Sequence, residues 1–533
     1  MSSAPSPTLT ADGHPLASMD SMGIGPTLVF GLLVLCGLGY IGYQLVQDVS
    51  AVQAAAPWVL LLLAVLIALG FEFVNGFHDT ANAVATVIYT RSLPPAYAVV
   101  WSGFWNFMGV LTASGAVAWG IVSLLPVELI LQVNSSSGMA MVFALLAAAI
   151  VWNLGTWWIG LPSSSSHTLI GSIIGVGLAN QFLATTGTVT SGVDWDKAKD
   201  TGLALLCGPM IGFVVAAVLL LLMKAVFRFP KLYEEPNPGH APPWPIRIAL
   251  ITTCTLVSFF HGSNDGQKGM GLIMLILVGV VPAAFALNRT PDPKLMESFR
   301  SQATAALAVL DQRFPSPTPP ANAREIVDEA VRKKAWQPGV GPALASYIRE
   351  VSAGLGSYES LANVPAEHVG NVRNDMYVIG EALKLIDKKK LVPMSAAELK
   401  PIKEFHKSVD TSTRFIPPWV KVAVALALGL GTMVGWKRIV VTVGEKIGKD
   451  HLTYGQGVAA ETTAAGMIFA SDMLGLPAST THVLSSGIAG TMMASGSGLQ
   501  WATVRSIAIA WVLTLPASAL IAGILFAVFR AIF

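Results

Sequence analysis

Long apolar stretches recur along the chain, and short polar segments separate them. A membrane-spanning α-helix needs about 20 such residues. The pattern therefore predicts an all-α polytopic membrane protein with about 10 to 12 membrane helices, counting short, broken or re-entrant ones. The predicted segments are residues 24–46, 58–75, 96–125, 139–161, 165–184, 202–227, 246–261, 268–288, 417–435, 455–474, 479–497 and 503–532.

One region breaks this apolar pattern. Residues 289–415 hold 18 of the 33 Lys and Arg residues and 15 of the 31 Asp and Glu residues, in runs with helical amphipathic spacing. This region is predicted to be a soluble, helical insertion between two membrane halves. The predicted divisions are a polar tail at 1–23, a first membrane repeat at 24–230, a loop at 231–245, a second repeat at 246–288 and 416–533, and the insertion at 289–415.

The composition supports a membrane protein and excludes some other classes. Hydrophobic residues make up 53% of the chain and charged residues 12%, against about 25% charged in a typical soluble domain. The net charge of +2 is too small to indicate a nucleic-acid partner. The three cysteines have no metal-binding or disulfide spacing, so no cofactor is expected.

Two short motifs each occur twice, in the same order. Residues 76–83 resemble residues 262–269, and residues 160–167 resemble residues 475–482. The distances between the two motifs differ between the copies by roughly the length of the insertion. An internal duplication is typical of secondary transporters, whose substrate sites lie near the bilayer midplane at helices interrupted by Gly or Pro.

The first motif places carboxylates within apolar sequence. Asp79 and Asp265 are costly at that depth, which favours coordination of a cation or a proton. A structural ion pair between Asp265 and Lys268 is the alternative. The predicted cation and proton residues are Asp79, Asp265, His78, Asn264 and Glu72.

The second motif places hydroxyl runs after a proline. Proline fits the first turn of a helix, Ser or Thr caps it, and the free N–H groups of a helix N-terminus attract anions. Two such runs in a duplication favour an oxyanion site over simple capping. The predicted phosphate ligands are Ser164, Ser165, Ser166, Ser479, Thr480, Thr481, Asn82 and Lys268.

Three further residues are predicted to support the site. His167 and His482 end the hydroxyl runs, where they would hold them by hydrogen bonds or relay protons. Glu461 lies in an apolar segment before the second run, where it would line the pathway or mark a helix end near water.

These paired motifs resemble those of the PiT family of inorganic phosphate transporters, most closely its bacterial low-affinity Pit permeases. The resemblance rests on NGFHDTANAVATVIYTR, HGSNDGQKGMG, GLPSSSSHT and GLPASTTHV. It implies a transporter and not an enzyme, with two inverted repeats and phosphate bound between them. It also implies that Asp79, Asn82 and Asp265 and the hydroxyl runs belong to the site.

The chain departs from the common family pattern at two positions, where His78 and Lys268 replace Asn. A titratable group and a built-in positive charge suit proton coupling better than sodium coupling. The Pit resemblance also implies phosphate carried as a neutral complex with Mg²⁺ or another divalent metal, since neutralisation lowers the cost of entering a low-dielectric path.

Several alternatives stay open from the sequence. These are a sodium-coupled phosphate symporter, a sulfate carrier, and a membrane receptor that signals through the insertion. The expected location is the cytoplasmic (inner) membrane, and a homodimer is plausible from the resemblance. The basic segment at 224–247 favours the cytoplasmic side, and the insertion would share that side if residues 246–288 formed a two-pass hairpin.

Overall fold

A computed structural model describes the fold over most of the chain. The described residues are 24–52, 57–126, 130–131, 135–184, 193–236, 241–290, 293–316, 318, 320–387 and 389–532. Their side chains are described except at 24–27, 80–82, 197 and 293. The predicted tail at 1–23 and the side chain of Asn82 therefore lie outside the described part.

The described elements are helical. The first half contains α1 (Ile24–Ala51), α2 (Trp58–Tyr89), α3 (Pro95–Thr112), α4 (Ala116–Val122), α5 (Ser136–Trp158), α6 (Ser165–Phe182) and α7 (Trp195–Val226). The next helices are α8 (Trp244–Val280) and the one-turn α9 (Pro282–Phe285). The insertion contains α10 (Pro293–Arg313), α11 (Ala323–Lys333), α12 (Val340–Leu355), α13 (Ala366–Asp387) and α14 (Ala396–Thr413). The chain then forms α15 (Pro418–Thr432), α16 (Lys437–Glu445), α17 (Tyr454–Met473), α18 (Thr480–Ser495) and α19 (Trp501–Ile532).

Six of the described helices are long and apolar enough to cross a membrane, or eight if each of two sharply bent pairs counts as one span. The pair α3 and α4 bends by 77°, and the pair α14 and α15 bends by 71°. The prediction of 10 to 12 elements also counted short and broken helices. Helices α6 and α18 are of that kind, because their Ser, Thr and Gly residues lower their hydropathy.

Residues 246–288 do not form the two-pass hairpin considered from the sequence. The polar motif at 262–269 lies inside one uninterrupted helix, α8, of 37 residues. The insertion contacts the N-terminal end of α7 through an ion pair of Lys389 with Asp196, at 2.7 Å, whereas the segment at 224–247 follows the C-terminal end. Because α7 is long enough to span the bilayer, the insertion and that basic segment lie at opposite ends of it.

The two helices that carry the first motif, α2 and α8, pack against each other and run antiparallel. Glu72 of α2 contacts Gly269 of α8. Fourteen residues later in α2, Thr86 donates to Glu461, which also accepts from Thr253, sixteen residues before Gly269 in α8. Apolar core residues fill the space above and below, and the polar motifs form a layer between them. Antiparallel equivalent helices are what an inverted repeat requires; the inverted relation of the complete halves stays a prediction.

Glycines bring the backbones of the two halves into direct contact at equivalent positions. A Cβ atom at Gly76 would lie 2.3 Å from the carbonyl oxygen of Leu428 in α15, and one at Gly262 would lie 2.1 Å from that of Asn106 in α3. No side chain fits at these distances. The glycines of the first motif therefore set how closely each motif helix packs on the other half.

The insertion packs on the membrane part and is not a detached domain. Its buried residues belong to the same continuous hydrophobic core as those of α4 and α5. The guanidinium of Arg373 donates to the carbonyl oxygen of Ile130 at 3.2 Å, and Lys334 pairs with Asp194 at 3.0 Å. These contacts join the insertion to the first half, while the chain itself joins it to the second.

Candidate functional site

Two helix N-termini meet in the polar layer. Ser164 caps α6 by accepting a hydrogen bond from the N–H of His167, and Ser479 caps α18 by accepting one from the N–H of His482, both at 3.3 Å. The predicted capping role is thus present in both copies. The proline precedes each cap by two residues and is not in the first helical turn, because each helix begins only after the cap.

Asp79 lies between these two N-termini and contacts both. Its Oδ2 atom accepts a hydrogen bond from Ser165 at 2.9 Å, and its Oδ1 atom accepts one from Thr481 at 2.5 Å. The carboxylate is buried. One acidic group on α2 therefore joins the hydroxyl run of the first repeat to that of the second.

Asp265 is the equivalent carboxylate on α8, and it lies beside the same serine. Its Oδ2 atom is 2.5 Å from the ammonium of Lys268 and 3.3 Å from the hydroxyl of Ser165. Lys268 also donates to Ser165 at 3.1 Å and is fully buried. Lys268 thus forms the ion pair considered as an alternative and also lies within the polar layer of the predicted ligands.

His261 also belongs to this cluster, although it was not among the site residues predicted from the sequence. Its Nε2 atom is 3.4 Å from Asp265 Oδ2, and its Nδ1 atom is 2.8 Å from the side-chain oxygen of Asn106. Ligand atoms of Asp79, His261 and Asp265 all lie within 4.8 Å of one another. The spacing of four residues between His261 and Asp265, which places both on one helix face, could have revealed it.

His78 and Asn264 occupy equivalent positions and hold the segments that precede the two caps. Asn264 donates to the carbonyl oxygen of Leu476 at 3.0 Å and accepts from the N–H of Ala478 at 2.9 Å. His78 contacts the hydroxyl of Ser163, directly before the first cap, at 3.4 Å, and Asp79 at 3.3 Å. Asn264 is therefore engaged with backbone, away from the carboxylate oxygens, whereas His78 touches one of the predicted coupling residues.

Two further hydroxyls of the runs differ from Ser165 and Thr481 in their hydrogen-bond partners. Ser166 donates to the carbonyl oxygen of Ala478 at 2.6 Å, so it ties α6 to the segment before α18. The hydroxyl of Thr480 is buried and has no hydrogen-bond partner among the described residues. Thr480 is the counterpart of Ser165, which has three polar neighbours.

The predicted glutamates lie outside the cluster. Glu461 is buried and accepts hydrogen bonds from Thr86 and Thr253, where α17 packs against α2 and α8. Glu72 is buried one turn before the motif glycine and accepts from Asn75 at 3.4 Å. Both are buried carboxylates within the helix packing, and Glu461 does not mark a helix end near water.

The predicted supporting histidines stack on each other. The ring centroids of His167 and His482 are 4.4 Å apart, and the ring of Trp511 lies 4.2 Å from that of His482. Each histidine follows its cap by three residues. The stack therefore joins the first turns of α6 and α18 behind the hydroxyls.

One further carboxylate beside the site was also not identified from the sequence. Asp472, partly exposed at the end of α17, accepts hydrogen bonds from Ser263 and Gln267, both at 2.7 Å. The amide oxygen of Gln267 in turn accepts from the N–H of Val117 at 2.9 Å. Asp472 lies at the end of an apolar segment, where a carboxylate is unremarkable in the sequence.

The arrangement suits the binding of an oxyanion better than the catalysis of a reaction. The first N–H groups of α6 and α18 have no acceptor within their own helices, and hydroxyls surround them. Lys268 adds a fixed positive charge, and Asp79 and Asp265 can accept a hydrogen bond from a partly protonated anion. Among the described residues of the cluster, no nucleophile is paired with a general base in a reactive setting.

A comparison with known sequences decides the class of protein. Residues 75–522 match the profile of the family described as "Phosphate transporter family". The chain belongs to this phosphate transporter family. The match spans both motif pairs and the insertion, so the PiT resemblance predicted from the motifs is confirmed.

Individual members of the phosphate transporter family are similar over most of their length. The low-affinity inorganic phosphate transporters PitB and PitA of Escherichia coli (strain K12) are each 41% identical over 87% of this chain and 95% of their own. The low-affinity inorganic phosphate transporter of Buchnera aphidicola subsp. Acyrthosiphon pisum is 38% identical over 88% of this chain and 96% of its own.

One solved structure, described as the sodium-dependent phosphate transporter, is similar with a TM-score of 0.48 and 20% identity. It covers 89% of this chain and 100% of that chain. The family membership makes this chain a phosphate transporter and not an enzyme, as predicted.

Proposed function

We propose that this transporter imports inorganic phosphate across the cytoplasmic membrane by proton-coupled symport, and that phosphate travels as a neutral complex with a divalent metal. The observation that carries the proposal is the Ser165 hydroxyl, which lies within 3.3 Å of Asp79, Asp265 and Lys268 at once. A tetrahedral anion between α6 and α18 would meet hydroxyls, N–H groups and an ammonium together.

The fixed charge of Lys268 supports the choice of proton over sodium. Its ammonium already lies between Asp265 and Ser165, at 2.5 Å and 3.1 Å. It permanently supplies the monovalent positive charge that a sodium ion would bring to this carboxylate. That oxygen therefore already has a cationic partner, so it is not open to a sodium ion.

The charge balance supports a neutral metal–phosphate complex. With both carboxylates ionised and Lys268 charged, Asp79, Asp265 and Lys268 together carry one net negative charge. Hydrogen phosphate alone would add two more negative charges to this buried layer, at a high desolvation cost. A divalent cation removes that excess charge.

The test is uptake of radiolabelled phosphate by the purified protein in liposomes. Proton gradient, sodium gradient and divalent metal are varied one at a time, with a chelator in the metal-free arm. We expect uptake that follows the proton gradient and requires the metal. Uptake driven by sodium alone would exclude proton coupling, and an absence of any gradient-driven uptake would exclude phosphate symport.

The substitution Lys268→Asn tests the role of the fixed charge. It gives the second repeat the residue that the first repeat has at Asn82. We expect phosphate uptake to gain a dependence on sodium, measured in the same liposomes. An unchanged requirement for the proton gradient alone would contradict the idea that the ammonium replaces a cation.

The predicted homodimer and the location in the cytoplasmic (inner) membrane stay proposals. Large apolar side chains along α1 and α7 face outward, which is what a lipid-facing surface requires. Mass measurement of the intact protein in detergent would give its oligomeric state.

A further inference from the structure

We propose that His261, together with Asp79 and Asp265, forms the subsite that holds the divalent cation of the transported complex through one imidazole nitrogen and two carboxylate oxygens. The inference rests on the proposed function, because it assigns the cation of the proposed metal–phosphate substrate to named atoms.

The hydrogen bonds around Asn106 fix the orientation of its amide. Thr432 donates its own proton to the carbonyl oxygen of Leu428 at 2.8 Å, so its hydroxyl can only accept from Asn106 Nδ2, at 3.4 Å. The NH₂ group of Asn106 therefore points to Thr432, and its Oδ1 atom points to His261.

This orientation in turn fixes the imidazole of His261. An amide oxygen only accepts, so the contact of 2.8 Å requires the proton on His261 Nδ1. In the neutral ring the lone pair is then on Nε2. A metal-binding histidine commonly donates its other ring N–H in this way, which orients the ring and sets the tautomer.

His261 Nε2 faces the Asp265 carboxylate without forming a hydrogen bond to it. Nε2 is 3.4 Å from Asp265 Oδ2, and within the described part it has no hydrogen-bond partner; Asp265 Oδ1 also has none. Both groups are at least 98% buried: His261 is 2% exposed and Asp265 1%. A nitrogen lone pair and a carboxylate oxygen at this distance repel unless they share a positive charge, either a proton or a metal ion, so both atoms are available as ligands of a cation.

The third ligand comes from the opposite repeat. Asp79, His261 and Asp265 each offer an atom within 4.8 Å of the other two. Two ligands that share one ion at about 2.0–2.2 Å lie at most about 4.4 Å apart, so small side-chain movements would bring these atoms onto one ion. Lys268 occupies only Oδ2 of Asp265, so Oδ1 remains for a metal. One nitrogen and two oxygens suit Mn²⁺ or Zn²⁺ better than Mg²⁺, which prefers oxygen ligands only.

The second repeat has a histidine at this position, and the first repeat does not. The counterpart of His261 is Asn75, and the counterpart of Asn106 is Leu428, so the first repeat has neither the imidazole nor the amide that orients it. A nitrogen ligand from the second repeat alone makes the cation subsite asymmetric between otherwise equivalent carboxylates.

The test measures Mn²⁺ binding to the purified full-length protein by electron paramagnetic resonance, with and without inorganic phosphate. In wild type we expect phosphate-dependent binding and a nitrogen coupling in the pulsed spectrum, which shifts when histidine is labelled with ¹⁵N. His261→Asn should remove the coupling and weaken binding at least tenfold, and Asn106→Leu should weaken binding about 10- to 100-fold.

His406→Asn is the matched control. His406 is also buried and also lies four residues before an aspartate, at 3.8 Å from Asp410, but it lies in the insertion. Its substitution should leave the coupling and the affinity unchanged. The ¹⁵N shift in wild type does not depend on the folding of any variant.

The outcomes separate this inference from the proposed function. A nitrogen coupling that persists in His261→Asn, or an unchanged affinity, would overturn the subsite. Proton-driven phosphate uptake that continues with chelator, together with no Mn²⁺ binding, would overturn the metal part alone. An absence of phosphate uptake by wild type would overturn the proposed function, whatever the Mn²⁺ spectrum shows.

Discussion

The two repeats carry different side chains at equivalent positions beside the shared site. In the first repeat the rings of Phe77 and Trp157 lie 5.1 Å apart, and the indole N–H of Trp157 donates to the carbonyl oxygen of Gly435 at 2.7 Å. In the second repeat the same positions are occupied by Ser263 and Asp472, joined by a hydrogen bond of 2.7 Å.

This difference shows that duplication preserved the positions of contact but not their chemistry. An aromatic contact can open only by exposing apolar surface, at about 25 cal/mol per Å². A partly exposed carboxylate can exchange its hydrogen bonds for water at little net cost. We therefore expect the contact at Asp472 to open more readily than the contact at Trp157.

The largest effect should come from the carboxylate that touches both repeats. Asp79→Asn removes the charge that accepts hydrogen bonds from Ser165 and Thr481, and we expect phosphate uptake in liposomes to fall to the level of empty liposomes. The matched control is Asp48→Asn, at an aspartate in α1 that contacts Trp419 at 2.8 Å and lies outside the site. Uptake near the wild-type rate in Asp79→Asn would remove this residue from the site.

The next effect separates the two carboxylates. Asp265→Asn leaves the buried ammonium of Lys268 without its counter-charge, which should cost about 3–5 kcal/mol of stability. The double variant Asp265→Asn/Lys268→Asn removes both charges and should recover most of this loss, measured by thermal unfolding in detergent. Equal destabilisation of the single and double variants would show that the two residues do not act as a pair.

Substitutions at the two motif glycines test whether the two halves pack at equivalent backbone contacts. Gly76→Ala and Gly262→Ala each place a methyl group on a carbonyl oxygen of the other half, and each should lower stability by about 1–3 kcal/mol. Gly70→Ala is the control on the same helix as Gly76, because a Cβ there meets nothing within 4 Å. Destabilisation of only one of the two motif variants would contradict the equivalence of the two backbone contacts.

The smallest effect concerns the contacts that differ. Asp472→Asn turns one accepting oxygen into a donor that faces Ser263 or Gln267, but water can reach this partly exposed side chain, so the cost should be about 0.5–1 kcal/mol; Trp157→Phe loses one neutral hydrogen bond, worth about 1 kcal/mol. Thermal unfolding gives the stability change. Labelling of Ser263→Cys by a water-soluble thiol reagent, compared with Phe77→Cys, reports which side is reached from water; faster labelling at position 77 would contradict the expected order.

The fold class and most of the site could be predicted because they depend on local patterns. The length of the apolar stretches predicted the membrane helices, and the capping preference of Ser164 and Ser479 predicted the two helix N-termini. The paired motifs also placed Asp79 and Asp265 together, because equivalent elements of a duplication tend to meet at its interface.

The remaining features depend on contacts between distant segments. His261 acquires its role from Asn106, 155 residues away along the chain, and no spacing rule connects them. The long helix α8 appeared as two apolar segments because its polar residues interrupt the hydropathy but not the backbone hydrogen bonding. Asp472 looked like a helix-end residue until α8 placed Ser263 and Gln267 against it.

The attachment of the insertion offers a way to observe the protein at work. Lys389 and Lys334 bind the first half at the start of α7, while the chain itself joins the insertion to α8 and α15. Any displacement of one half against the other must stretch or break these surface ion pairs, which salt weakens. A pair of fluorophores placed across this junction, outside the bilayer and away from the substrate, would therefore report turnover as a change in energy transfer.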